Sequence, residues 1–583
     1  MDSFSKASTR TTLSFALTGL AFTLLLTACG GGGGSSVSLP AAPVPTLGFG
    51  IKQLQFSWSA VSGASSYKLL ENADGASGFS VIQDSITTTS ANKDISVTDH
   101  DWSNARYLVQ ACNSAGCTDS AELNTSGAVL KAIGFFKASN TGASDLFGGH
   151  NGAGFSGTPI IWSAPSIALS GDGQTLAVGA PMEDGPDQGI SADQVTVDDG
   201  SAVNSGAVYV FRHSASGWAQ QAYIKASNAI ANAQFGNAVA LNQDGNTLAV
   251  SGNNLTSTLA YVYRFSASAW VEQTRLIDGS AFAPSLALDD SGDVLLAGDA
   301  LFDLAAGRVL AYRYDSAMST WGTPQTLQKS TPAASEHFGL SLGISGDGNT
   351  FVTGANGVNA SAGAAYVYRY TTSWTQEAPL TASNAEAGDE FGRDVAISQD
   401  GTTIAVSALN EDGADMGAQN GATGDTANGA TDSGSVYVFR FASAWNQQAY
   451  IKASNTGPSD QFGSSLDLSQ DGNLLVVGAW AEDSNATGIG GDESNDSNSF
   501  AGAAYQYRFD TTTSLWDTNI VYIKGAVANA GGSFAGSIAL SDDGNTLAAS
   551  SEGSDSNASG VTSGDDAVVA DTSAGSSGAV YLY

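Results

Sequence analysis

The strongest constraint on this chain is that it repeats itself. From Lys131 onward a Phe-Gly or Phe-Ala pair recurs, at Phe147, Phe235, Phe282, Phe338, Phe391, Phe462 and Phe534. Each pair leads into a short apolar strand such as Val239-Ala-Leu241. A turn with Asp-Gly or a near variant follows, at Asp172-Gly173, Asp244-Gly245, Asp290-Ser-Gly292, Asp347-Gly348, Asp400-Gly401, Asp471-Gly472 and Asp543-Gly544. Asp and Gly tolerate the positive φ that a tight hairpin requires. A second strand such as Leu176-Ala-Val-Gly-Ala180, a third such as Gly206-Ala-Val-Tyr-Val-Phe211 and a fourth such as Ala222-Tyr-Ile-Lys225 complete the unit. One unit cannot bury its own apolar faces, so neighbours must stack on one another.

Copies of a four-stranded antiparallel unit, in a chain with little helical periodicity, fit an all-β, seven-bladed β-propeller. The ends of the array support a closed ring. The last copy stops at Ala579-Val-Tyr-Leu-Tyr583 without a fourth strand, while Gly134-Phe-Phe-Lys-Ala-Ser139 carries the fourth-strand pattern ahead of the first Phe-Gly. Pairing the two leaves no open sheet edge. The Phe-Gly openings, together with Gly-Ala near the end of the second strand as in Gly179-Ala180-Pro181, resemble the FG-GAP repeats of integrin α chains across residues 131–583. Propellers of that family carry calcium in the first hairpin on an Asp-x-Asp-x-Asp-Gly run. Here that hairpin reads Ser170-Gly-Asp-Gly173 or Asn242-Gln-Asp-Gly245, so the family's metal residues do not carry over. A tryptophan precedes the fourth strand at Trp218, Trp270, Trp321, Trp374, Trp445 and Trp516, and its recurrence at one place in the unit argues for packing rather than a sugar platform.

The N-terminus points to export. Lys6 and Arg10 precede an uncharged run, Thr11 to Leu26, that is too short to span a membrane permanently and ends in Leu26-Thr27-Ala28-Cys29. This resembles a lipobox, which implies a signal peptide over residues 1–28, a diacylglycerol anchor on Cys29 and a place in the bacterial cell envelope. Gly30 follows the cysteine where an aspartate retains many lipoproteins at the inner membrane, which favours the outer membrane by the same resemblance. Residues 29–45, rich in Gly, Ser and Pro, form a flexible tether. Between tether and repeats, residues 46–125 carry alternating runs such as Leu54-Gln-Phe-Ser-Trp58 and Tyr67-Lys-Leu-Leu70, the signature of half-buried strands. With Tyr107-Leu-Val-Gln-Ala-Cys-Asn-Ser-Ala-Gly116 this segment resembles a fibronectin type III domain. Outside the cytoplasm, Cys112 and Cys117 are most simply a local disulfide.

Charge narrows the partners. Asp and Glu number 56 against 21 Lys and Arg, a formal net charge of −35, so phosphate backbones are repelled and cations attracted. Nucleic acid is excluded as a partner on that ground. The acids are unevenly placed. The loops joining second and third strands are short in blades two to four but about twenty residues or more in blades five, six, seven and one, against about five for an ordinary loop. In a closed ring those four blades are consecutive.

In blades one, five and six the long loop opens with Glu-Asp, at Glu183-Asp184, Glu411-Asp412 and Glu482-Asp483, and the same blades place an aspartate two residues before the Phe, at Asp145, Asp389 and Asp460. Lead-in loop and long loop share one face of an antiparallel blade, so these carboxylates are expected to converge and to suit Ca²⁺. Blade seven is expected to keep Glu552 but to lack the aspartate, having Gly532. Blade one also carries an apolar insertion with Phe155, Ile160, Ile161 and Trp162, expected to bind ligand on the same rim. No histidine metal motif, nucleophile elbow or phosphate loop is present, so no catalytic residue is nominated. The reading is a lipid-anchored binding or adhesion module for an extracellular protein or glycan, with a carbohydrate-active lyase or hydrolase, or a structural spacer, as alternatives.

Overall fold

A computed structural model describes residues 37–149, 166–191, 200–253, 258–278, 285–421 and 423–583. Cys29, Phe155, Ile160, Ile161, Trp162 and Phe282 lie outside the described residues.

The first two sheets come from the segment after the tether. One joins Thr46–Gly50, Gln53–Ser57 and Ser90–Asp94, and the other is built on Ser80–Ile86, Ser66–Asn72, Arg106–Asn113 and Gly116–Asp119. Alternation puts Leu54 and Phe56 inward from one strand and Tyr107 and Val109 from another, giving a sandwich core. Cys112 and Cys117 sit opposite each other across the hairpin and are disulfide-bonded, with Cα atoms 4.0 Å apart.

Seven antiparallel sheets of four or five strands follow in chain order among the described residues, giving a β-propeller-like body. Their first strands are Ile167–Leu169, Val239–Leu241, Ser285–Leu288, Leu342–Ile344, Phe391–Ile397, Phe462–Leu468 and Phe534–Leu540. Each packs against the next, and the last packs against the first. Sheet seven is assembled from both ends of the array: Gly134–Lys137 pairs with Ala579–Leu582, Phe136 opposite Val580 and Phe135 opposite Tyr581.

The hairpins at one end of these strands are tied together by their own backbones. Amides of Asp172, Gln243, Asp290, Gly346, Gln399, Gln470 and Asp542 donate in turn to the carbonyls of Gln243, Asp290, Gly346, Gln399, Gln470, Asp542 and Gly171 at 2.9–3.3 Å. This circlet of hydrogen bonds pairs hairpin amides that lie outside the strand ladders. Carboxamide side chains reinforce it, with Gln399 donating to Asp542 at 2.6 Å and Gln243 to the same oxygen at 3.1 Å.

Between sheets, the Phe of each Phe-Gly pair meets the glycine that opens the third strand of the preceding sheet. Gly206 bridges Phe235 with φ +79°, and a Cβ there would stand 2.2 Å from the Phe235 carbonyl oxygen, so no other residue fits. At five seams an arginine from the third strand stacks on an aromatic of the next sheet, as Arg440 does on Phe509 at 4.0 Å. The seam tryptophans pack likewise: Trp516 is buried and its Nε1 donates to Gln448 at 3.2 Å. Arg508, between sheets six and seven, instead holds Asp99 of the N-terminal sandwich at 2.5 and 2.6 Å. The sandwich thus docks where the ring's recurrent arginine lacks an aromatic partner.

The long loops do more than decorate a rim. Each turns back over the outer edge of its own sheet and adds a further strand to the fourth, at Gly189–Ser191, Ala418–Asn420 and Gly560–Ser563, with a single bridge from Ile489 to Ile523 in sheet six. These strands cover edges that would otherwise offer free backbone groups.

Candidate functional site

The acids singled out in the sequence converge, but on lysine. In sheet five Glu411 lies three residues beyond the second strand Thr403–Ala408, and its side chain turns inward beneath the long loop. Lys452 follows the fourth strand, and its Nζ is 3.0 Å from Glu411 Oε2 and 2.7 Å from Ser433 Oγ. Tyr450, two residues back and therefore on the same strand face, donates to Glu411 at 3.0 Å, and Asn384 Nδ2 donates at 3.0 Å. Tyr437 completes the cluster by donating to Asn384 Oδ1 at 2.7 Å.

The same unit recurs in two other sheets. In sheet six Glu482 accepts from Lys524 at 2.7 Å, Tyr522 at 2.9 Å and Asn455 at 3.0 Å. In sheet one Glu183 pairs with Lys225 and accepts from Tyr223 at 2.8 Å and Asn140 at 3.0 Å. All three glutamates and lysines are buried, and burial of charge requires this pairing and hydrogen bonding.

The aspartates close the loops. Asp184, Asp412 and Asp483 accept the backbone N–H of Asn204, Asp432 and Phe500 at 2.6–2.8 Å, at the far end of each long loop. Asp145, Asp389 and Asp460 accept the N–H three residues earlier, from Gly142, Glu386 and Gly457, at 2.7–2.8 Å. Burial, with the nearby Glu411 and Glu482 carboxylates adding to it, pushes Asp389 up to about 6 and Asp460 up to about 7. Sheet four does this with Glu336, also two residues before its Phe, which accepts from Ala333 at 2.8 Å and pairs with Lys329. That sheet has no Glu-Asp loop, so the turn acid and the loop acids are separable features. Among the described residues no group of three or more His, Cys, Asp or Glu is placed to hold a metal ion.

Sheet seven corrects the sequence register. The residue in the place of Glu411 is Ser554: its N–H donates to Ser551 at 3.1 Å and its carbonyl accepts from Gly578 at 3.0 Å, as Glu411 does with Ala408 and Gly434. Glu552 falls two residues earlier and faces the centre of the ring. Phe135 stands where the other units have tyrosine. Lys137 is nevertheless buried, donating to Ser577 Oγ at 2.6 Å and to the Gly578 carbonyl, and burial pushes it down to about 7.

The ring encloses a cavity of about 650 Å³, within the range typical of small-molecule sites. Its bore is lined by the aliphatic Leu169, Leu241, Leu288, Ile344, Ile397 and Ile538, with Ser285, Ser465 and Ser537 interspersed. The hydrogen-bonded circlet of hairpins lies at the far end of these strands. The opposite mouth, on the face from which the long loops start, carries His337, Asn356, Glu390, Arg393, Trp480 and Glu552. His337 and Glu390 each precede a Phe with φ of 57° and 59°, a left-handed backbone that recurs before the Phe in other sheets and turns their side chains toward the mouth's centre. His337 Nδ1 donates to Asn356 at 3.0 Å, and Asn356 donates to Glu390 at 3.1 Å. Trp480 stacks on the half-exposed Phe500, ring centroids 5.7 Å apart.

Deeper, two aspartates sew neighbouring first strands together. Asp394 accepts from Val395 and from Leu466 of the next sheet at 2.9 and 3.0 Å, and Asp467 accepts from Leu468 and from Leu540 at 2.8 Å each. Burial raises both to about 7. Sequence reasoning missed Arg393, Asp394 and Asp467. Their signal was available: charges inside Phe-Gly-Arg-Asp-Val and Ser-Leu-Asp-Leu, where other copies are small or apolar.

The FG-GAP repeat family model matches residues 374–439 and 445–507, each match running from a fourth strand through the third strand of the next sheet. No curated protein matches the chain. Similar solved structures include hydrazine synthase of Kuenenia stuttgartiensis, at 12% identity and TM-score 0.39, covering 68% of this chain and 96% of that one. A putative 6-phosphogluconolactonase from Bacteroides fragilis has 11% identity and TM-score 0.37, covering 80% and 97%. A protein from Lactobacillus plantarum has 14% identity and TM-score 0.39, covering 67% and 96%.

Proposed function

We propose that this chain is an interaction module of the bacterial cell envelope, anchored through lipid on Cys29 at the outer membrane, which presents the long-loop face of its ring to an extracellular protein or glycan. The observation that carries the reading is the lopsided ring: four consecutive sheets bear long loops, and each of those in sheets one, five and six is pinned by its own buried lysine-glutamate unit. Rigid loops on a rigid scaffold are where binding surfaces are built. The strand order of the N-terminal sandwich supports the fibronectin type III likeness, and its docking between sheets six and seven makes it a stalk that holds the ring clear of the tether. The lipid-free Cys29→Ala chain, screened against glycans and envelope or host surface proteins, should bind through this face. Loss of binding when Phe500 and Met416, exposed on the long loops, are changed to Ser is the expected result. Retention would remove the loop face from the proposal.

For the nine acids we favour structural pairing over calcium. Each glutamate already faces an ammonium, and each aspartate caps a backbone amide. Calorimetric titration separates the two readings: saturable heat with Ca²⁺ and a melting temperature lowered by chelator would restore the ion.

A further inference from the structure

The unexplained group in this molecule is Arg393. It stands two residues after Phe391 in the first strand of sheet five, lines the cavity near its mouth and is only 8% exposed. Every acid around it has other work. Glu390 accepts from Asn356, and Asp394 and Asp467 each accept two backbone amides. Among the described residues Arg393 has no acceptor within hydrogen-bond distance and no carboxylate close enough for a salt bridge, although Glu390 and Asp394 are near enough to act on it through space. A guanidinium carries a fork of five N–H donors, and that of Arg393 opens onto the cavity, its nitrogens not being among the fully enclosed unpaired atoms. The arginines of the ring's third strands stack on aromatics, bond to turn carbonyls or, as Arg508 does with Asp99, pair with a carboxylate, so the exception is specific to the cavity.

We propose that the cavity binds an aliphatic carboxylic acid, its carboxylate gripped by Arg393 at the mouth and its chain filling the apolar bore toward the hairpin circlet. A carboxylate matches the guanidinium fork in bidentate fashion and supplies the missing acceptors. Leu, Ile and Val side chains make up most of the bore, with Ser285, Ser465 and Ser537 among them, so an aliphatic chain finds apolar contact along its length, and the hairpin circlet lies beyond the far end of the same strands. This proposal does not depend on the partner bound by the long loops.

The test is calorimetric titration of the full-length Cys29→Ala chain with octanoate, decanoate and dodecanoate below their micelle concentrations, and with dodecanol as the uncharged comparator. Expected is one saturable site that tightens by about fourfold for each added methylene, the value of burying one more CH₂. Dodecanol should bind at least about tenfold more weakly, the worth of a charge-assisted pair. Arg393→Gln should bring acid and alcohol to equal affinity while melting no lower than the parent, and Arg393→Lys should keep the preference for acid. No saturable binding of any acid, or an undiminished preference for acid in Arg393→Gln, overturns the proposal. Chain-length-independent binding would also overturn it, since the bore would then be unoccupied.

Discussion

Sheets five and seven solve one problem in two ways. Both bury a lysine at the end of the fourth strand, Lys452 and Lys137, against a serine that opens the third strand, Ser433 and Ser577. In sheet five a full complement of acceptors surrounds the ammonium, from Glu411 with Tyr450 and Asn384 behind it. In sheet seven Ser554 replaces the glutamate and Phe135 the tyrosine, and Val527 stands at the position of the asparagine. In sheet seven the three losses occur together, and the lysine and serine remain. The asparagine is separable, since Asn228 holds the same place in sheet two without a glutamate and accepts from Tyr261 at 2.8 Å. The lesson is that the buried lysine can be satisfied either by a carboxylate with its donors or by a serine and a backbone carbonyl.

The largest expected effect breaks sheet seven itself. Among the described residues of the ring it is the one sheet assembled from distant parts of the chain, so deleting residues 131–139 removes its fourth strand and exposes the edge of Ala579–Leu582. Aggregation or loss of the cooperative melt should follow. A deletion that melts with the parent would mean the ring does not depend on this closure.

Next in size is the glutamate of sheet five. Glu411→Gln leaves Lys452 buried without its counter-charge and should cost about 3–5 kcal/mol by denaturant titration. Glu411→Ser with Tyr450→Phe copies sheet seven and should cost less than the single change, since the tyrosine hydroxyl is not left stranded. Equal losses from both variants would deny that the unit is cooperative.

Much of this was legible in the sequence, and the parts that were not share a cause. The repeats, the strand order and the closing strand at Gly134–Lys137 follow from local periodicity and turn chemistry, which survive without knowledge of neighbours. The co-occurrence of Glu-Asp with a preceding aspartate was also visible, but its partner was not, because Lys452 lies 41 residues from Glu411 and meets it only across the folded sheet. Glu336 was hidden for a simpler reason: the pattern sought was an aspartate, whereas the turn needs only a carboxylate. In sheet seven the chemistry had changed, so matching by residue type fixed on Glu552, and only the backbone bonds identify Ser554. Arg393 was overlooked because a charged residue in an otherwise apolar strand carries no meaning until the strand is known to line a cavity.

A smaller effect comes from the turn acids, which sheet seven replaces with Gly532. Asp460 titrates near 7 in the folded state, above the unfolded value near 4, so the folded chain holds the extra proton between those limits. Its contribution is therefore greatest below pH 4 and is lost as pH rises toward 7. Asp460→Asn keeps an oxygen for the Gly457 amide without the buried charge. The variant should be more stable than the parent at pH 8, on the order of 1–3 kcal/mol, and its stability should change less between pH 4 and 7. Parallel curves for the two proteins would show that Asp460 does not titrate in this window.

The smallest change in stability, and the sharpest test of the comparison, is to rebuild the missing unit. In the parent, burial holds Lys137 near 7 against an unfolded value near 10.5, so between these limits the unfolded chain binds more protons and stability rises with pH. Ser554→Glu combined with Phe135→Tyr gives the ammonium a carboxylate and gives that carboxylate a hydroxyl donor, as in sheet five. Charging both partners returns part of the lysine's desolvation penalty but adds that of the glutamate, so the net gain at pH 7 should be about 1 kcal/mol or less. The pH dependence should change more than the stability does. With its counter-charge in place Lys137 keeps its proton to higher pH, and the rise in stability above pH 7 should flatten. Ser554→Glu alone, with Phe135 unable to donate, should be less stable than the pair. A rebuilt sheet whose stability still climbs above pH 7 as steeply as the parent's would show that the glutamate does not set the lysine's charge, in sheet seven or in sheet five.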